Sequence, residues 1–140
     1  MTSAQEIIAK LKLERHPEGG WYNQTFKDER AVNGRACSTA IFYLLEGGER
    51  SHWHKVDAIE IWHYYAGAPL TLRLCDDDKT VRTLTIGPDV LAGQTPQGIV
   101  RNDEWQSAES LGDWTLVGCT VAPGFDFAGF TMAEPGWEPG

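Results

Sequence analysis

Apolar and polar residues alternate with a two-residue period along most of the chain, and only near its start does the spacing become helical. Ala4, Ile7, Ile8 and Leu11 follow Ser3, a capping residue with Glu6 three positions on, which predicts one short helix with a single apolar face. His16, Pro17, Glu18, Gly19 and Gly20 break that pattern and read as a turn. Strand candidates then follow at Trp21 to Phe26, Ala36 to Leu45, Ile59 to Tyr65, Leu70 to Cys75, Val81 to Ile86 and Trp114 to Val121. Asn33-Gly34 is a hairpin signal, and the charged tip Asp76 to Lys79 folds the fourth strand onto the fifth. That aspartate cluster lacks the ligand spacing of a calcium loop and reads as a solvated turn. Shorter strand pieces between Leu91 and Val100 are interrupted by Gly93, Pro96 and Gly98. Many strands with one helix predict an all-β sandwich or small barrel, and the absence of helices between strands argues against a parallel doubly wound sheet.

At 140 residues, with 41% apolar and 23% charged content, the chain fits one domain spanning residues 1–133, with 134–140 as a flexible tail. A net charge of -8 without a basic block argues against nucleic acid and anionic membranes as partners. Cys37, Cys75 and Cys119 form neither a zinc pattern nor a CxxC pair and read as buried free thiols. No apolar run is long enough for a membrane span, and the first residues lack a signal-peptide core, so a cytoplasmic location is the default expectation.

Chemistry concentrates in GGERSHWHKVDAIEIWHYYAG, Gly47 to Gly67, which holds three of the four histidines. Glu60, Trp62 and Tyr64 fall on one side of an extended strand and Ile61, His63 and Tyr65 on the other, so His63 is expected to be structural. His52 and His54, two apart, are expected to share a face, and a turn through KVDAI returns the chain to Glu60. Two imidazoles and a carboxylate suit a divalent transition metal such as Zn, Fe, Mn, Ni, Co or Cu.

RHPEGGWYNQTF, STAIFYLLEGGERSHWHKVDAIEIWHYYAGAPL and VGCTVAPGFDFAGF together resemble the cupins, and more narrowly the uncharacterised DUF985, or cupin-5, group. The resemblance implies a double-stranded β-helix, the cupin jelly-roll barrel, with a short N-terminal helix. Its first motif aligns with Gly47 or Gly48, His52, His54, Glu60 and Gly67. Its second motif aligns either with Pro96, Gly98 and Arg101 or with Arg101, Asp103 and Gln106, the second placement being preferred. Under both, the fourth metal-binding histidine is missing, and Gln106 stands where its weaker amide oxygen would complete His52, His54 and Glu60. A metal centre and a metal-free polar cavity therefore stand side by side as readings.

The resemblance implies a small-molecule isomerase or epimerase acting on a sugar-like or carbonyl-containing substrate. His54, or alternatively His52, is the candidate base, Tyr64 the acid on the opposite face, and Glu60 the carboxylate that orients the histidine or binds a hydroxyl. His52, Trp62, Trp105, Gln106, Arg101 and Glu18 are the candidate ligand contacts. Arg50 and Arg73 are further candidates for an anionic group. Alternatively, His16 and Glu18 simply bond the backbone of the Gly-Gly turn. Two other classes remain open: a small-ligand-binding cupin without turnover, and a dimeric interaction protein. A homodimer is implied by the resemblance. Phe125 and Phe127 are expected to share a face in the core, with Asp126 bonding backbone.

Overall fold

The computed structural model describes residues 2–140. Helix α1 spans Ala4–Leu11. It is followed by β1 (Glu14–Arg15), β2 (Trp21–Lys27), β3 (Ala31–Val32), β4 (Arg35–Ala36), β5 (Thr39–Glu46), β6 (Arg50–Val56) and β7 (Ile59–Gly67). Beyond these lie β8 (Leu70–Cys75), β9 (Arg82–Ile86), β10 (Gln97–Val100), β11 (Trp105–Ser110), β12 (Trp114–Ala122) and β13 (Phe130–Met132). One sheet has the order β1-β2-β5-β12-β7-β10 and the other β13-β6-β11-β8-β9. All these pairings are antiparallel. The two sheets pack face to face as a jelly-roll sandwich, the expected all-β fold, without closing into a barrel.

Local signals account for the punctuation. Ser3 Oγ accepts from the Glu6 amide at 3.2 Å, satisfying one of the helix's free donors, and Lys12 ends the helix at φ 57°. Asn33 and Gly34, both at positive φ, form the two-residue turn of the β3–β4 ribbon. At the predicted charged tip, Asp77 Oδ1 receives the amides of Lys79 and Thr80 at 2.9 and 2.7 Å, tying the β8–β9 connection.

Burial divides the sandwich into a dry end and a polar end. Tyr43, Leu45, Trp62, Leu70, Leu72, Leu74 and Val117 interdigitate between the sheets. On the other side of the larger sheet, Ala4 and Ile8 of α1 cover Leu44, whose neighbours in β5 alternate between the two layers. Burying each such aliphatic side chain stabilises the fold by roughly 1.5–3 kcal/mol. At the opposite end Val56, Ala58, Val121, Phe125 and Phe130 cluster, and polar side chains replace leucines between the layers.

Residues 133–140 run over the outer face of the smaller sheet. Ala133 N donates to Trp53 O and Gly140 N to Asp78 O, each at 2.9 Å. The Trp137 ring lies 4.8 Å from that of Trp105 and 6.2 Å from that of Trp53, while Glu138 pairs with Arg50 at 3.0 Å. Among the described residues no helix is long and apolar enough to cross a membrane.

Candidate functional site

A cavity of about 150 Å³ opens at the polar end, where β2, β5, β6, β7 and β12 converge with the loop before β2. His16, Glu18, His54 and Glu60 supply its titratable groups, and Ile41, Val121, Phe125 and Phe127 part of its apolar wall.

The Gly-Gly turn places Glu18. Gly19 sits at φ 104° and Gly20 at φ 81°, and a Cβ on Gly20 would stand 2.6 Å from the Tyr43 hydroxyl, so glycine lets the turn press against that ring. The Tyr43 hydroxyl donates to Gly19 O, Ser51 Oγ donates to the Glu18 carboxyl, and His52 N donates to Glu18 O at 2.8 Å. Burial pushes the Glu18 carboxyl up to about 8, against the opposing hydrogen bond from Ser51. At neutral pH it is therefore a carboxylic acid, able to donate.

Two imidazoles meet that acid. The Glu18 amide donates to His16 Nδ1 at 3.1 Å, which leaves the His16 proton on Nε2. Burial lowers His16 to about 4, with the nearby His54 adding to the shift, and the Tyr22 and Tyr43 rings stand edge-on to it at 4.6 and 5.9 Å. His54 Nδ1 donates to His52 O at 2.7 Å, so its Nε2 is a bare lone pair, 3.3 Å from Glu18 Oε2. Burial lowers His54 as well, opposed by the charge of Glu60. Both rings are neutral at pH 7.

Glu60 is fixed from behind. The Trp62 indole donates to Gln106 Oε1 at 2.9 Å, and because an indole can only donate, the amide's NH₂ is turned to Glu60 Oε1, which it meets at 2.8 Å. Burial raises the Glu60 carboxyl, His54 counteracting it. Cys119 adjoins Glu60, and burial pushes its thiol well up, so it stays protonated.

Of the expected site, His54, Glu60 and Gln106 come together, with Trp62 behind them and Glu18 from the N-terminal turn. His16 and Glu18 do bond the turn, His16 N donating to Gly20 O and Gly19 N to His16 O, yet their side chains face the cavity.

His52 is a correction. Gln106 pairs with His54 and Ala108 with Ser51, so Ser107 alone faces two residues, His52 and Trp53. This bulge breaks the alternation: Ser51 and His54 point inward, and His52 does not follow. Its Nε2–H is instead shared between Ala133 O at 3.0 Å and Glu134 O at 3.1 Å, fastening the start of the tail. His52→Ala is expected to cost about 1 kcal/mol of stability or less. Amide hydrogen exchange should quicken across residues 133–140 and stay unchanged around His54; protection unaltered in the tail would refute this role.

Tyr64 shares the inward face of β7 but stands four residues from Glu60, roughly 13 Å along the strand. Its hydroxyl donates to Gly67 O at 2.6 Å, at the dry end. Trp105 faces the outside of the smaller sheet, its indole donating to Asp78 at 2.9 Å, and Arg101 lies exposed in the turn before β11. His63 bonds Thr120 at 3.0 Å on the outer face of the larger sheet, as expected for a structural histidine. Phe125 and Phe127 do not share a strand face: Asp126 caps a short 3₁₀ turn by accepting from Ala128 N at 3.0 Å, which swings both rings to the cavity mouth.

The expected metal ligands do not fit a transition ion. His52 faces away, Gln106 Oε1 is occupied by Trp62, and Glu60 Oε1 already receives the Gln106 amide. Among the described residues no group of three or more His, Cys, Asp or Glu is placed to hold a metal. Tyr43, Ser51 and Thr39 belong to the site without having been singled out. The signal for two of them was present, since Thr39 and Tyr43 keep phase with Ile41 and Leu45 on the inner face of β5.

The sequence profile of the family described as Cupin superfamily (DUF985) matches residues 5–133. Protein SO0799 of Shewanella oneidensis has a crystal structure similar to this one, with a TM-score of 0.91 and 35% identity over 96% of this chain and 86% of that one. A curated relative, Uncharacterized protein YML079W of Saccharomyces cerevisiae, is 27% identical over 95% of this chain and 76% of its own. An oxalate decarboxylase of B. subtilis shares the fold, with a TM-score of 0.66 at 11% identity over 85% of this chain and 29% of that one.

Proposed function

The chain belongs to the Cupin_5 family (DUF985) of the cupin superfamily, and from that premise we propose that it is a small-molecule isomerase or epimerase working by proton transfer beside a carbonyl. One observation carries the reading. A neutral imidazole and a protonated carboxyl, His54 Nε2 and Glu18 Oε2, stand 3.3 Å apart, both buried, in a cavity with room for a small molecule.

His54 Nε2 takes the proton from a hydroxyl-bearing carbon next to the carbonyl. The C–H electron pair becomes a C=C bond, and the carbonyl π pair takes the proton of Glu18, giving an enediol beside an imidazolium and a carboxylate. Return of the imidazolium proton to the former carbonyl carbon, while the hydroxyl on the carbon first deprotonated gives its proton to the Glu18 carboxylate and becomes the new carbonyl, isomerises the substrate and restores both groups. Return of the imidazolium proton to the opposite face of the original carbon, with the Glu18 carboxylate taking back the hydroxyl proton, inverts that carbon. Glu18 takes the acid's role first assigned to Tyr64, whose hydroxyl is committed at the other end.

Uptake of deuterium from D₂O at a carbon next to a carbonyl, followed by proton NMR over a panel of small ketones and aldehydes, tests this. Its rate is expected to fall on the alkaline side with a midpoint near the Glu18 value of about 8, and on the acid side below the usual histidine range as His54 protonates. No uptake from any member would sink the proposal.

A further inference from the structure

Deepening that reading, and resting on it only for turnover, we propose that the cavity takes as its ligand a small uncharged hydroxycarbonyl compound of about six heavy atoms, its oxygens held by His16 and Thr39.

Charge is the first argument. No lysine or arginine lines the cavity. Arg15 pairs with Glu49, Arg35 with Asp57, Arg50 with Glu138, Arg73 with Glu109 and Arg82 with Glu104, all elsewhere, and Arg101 is exposed. A phosphate or carboxylate entering here would lose its hydration facing Glu18 and Glu60, with no cation to offset the loss. A sugar nucleotide's diphosphate has no seat.

Unspent donors supply the second. His16 is 7% exposed and Thr39 2%. His16 Nε2–H has no protein acceptor among the described residues, its other nitrogen being held by the Glu18 amide. Thr39 Oγ1 accepts from Phe125 N at 2.8 Å, which leaves its hydroxyl proton for the cavity. Two buried donors without a recorded acceptor, on residues that line the same cavity, call for oxygen lone pairs. An ammonium ion offers none.

Size is the third. A cavity of about 150 Å³ holds a molecule on the scale of benzene. Phe125, Phe127 and Val121 cover its apolar side, suited to the C–H face of a three- or four-carbon skeleton.

Dihydroxyacetone, glycerate and serinol have nearly the same skeleton and are uncharged, anionic and cationic in turn. Their binding is measured by NMR titration of the whole chain, and deuterium uptake by dihydroxyacetone is followed in the same samples. Dihydroxyacetone is expected to bind roughly tenfold or more tightly than either charged probe. Thr39→Val is expected to weaken it by about tenfold and Thr39→Ser to restore it, which separates loss of the hydroxyl from loss of fold. Glycerate or serinol binding as tightly, no saturable binding of dihydroxyacetone, or a Thr39→Val protein that binds unchanged would each overturn the proposal. Binding without deuterium uptake removes the proton-transfer reading and leaves the ligand class standing; uptake with equally tight glycerate binding does the reverse.

Discussion

Glu18→Gln is expected to slow carbon-bound proton exchange by roughly 10²–10⁴-fold, since the carboxyl proton is the general acid and an amide has none to give. The amide keeps the shape of the side chain and one of the two contacts of Oε2, to Ser51 or to His54, and the backbone bonds of the turn do not use the carboxyl, so the turn should fold as before. Stability should move the other way. The Glu18 carboxyl is raised from 4.5 to about 8, so its contribution is fully present below 4.5 and is lost as pH rises through 8. His16 has the opposite sign: lowered from 6.5 to about 4, it contributes above 6.5 and loses that contribution as pH falls through 4. The two slopes offset each other between 4.5 and 6.5, and a net decline emerges from 6.5 to 8. Relieving the buried acid is worth on the order of 3–5 kcal/mol at the alkaline end. Urea unfolding of both proteins across that range measures it. Wild type and variant losing stability in parallel would show that Glu18 is not the titrating group.

Gln106→Leu should be the most damaging substitution of similar volume. It strands the Trp62 indole N–H, closed to water, and takes from the buried Glu60 carboxyl the donor behind it, each orphaned group costing about 1–3 kcal/mol. A loss on the order of 3 kcal/mol and a fall of roughly 10 °C in Tm are expected. Adding Trp62→Phe removes one of the stranded donors and should recover part of the loss, a non-additivity that a double-mutant cycle reads directly. Strictly additive effects would mean that the indole and the amide do not act together.

The readable parts of the chain were those set by neighbours in sequence. Ser3 with Glu6, Asn33 with Gly34, and the aspartates before β9 each fix a local conformation through their own hydrogen bonds or φ preference, and each appears where it was expected. Glu60 and Trp62 were placed correctly because strand alternation holds through that part of β7. Gln106 came from the preferred motif alignment. The histidines of β6 failed for the same reason those succeeded: alternation was assumed, and the bulge against Ser107 interrupts it. Nothing in SHWHK announces that bulge, because its cause lies across the sheet and in the tail that His52 fastens. The Glu18–Ser51–Tyr43 group was equally hidden, since three separate segments supply it.

The irregularity in β6 also bears on descent. A single extra residue in that strand changes how many imidazoles enter the interior while leaving the letters H-x-H intact. One codon gained or lost is therefore enough to move a lineage between a two-histidine and a one-histidine interior. Sorting homologous genes by the number of codons between the serine equivalent to Ser51 and the inward histidine, rather than by the motif itself, should separate the two groups.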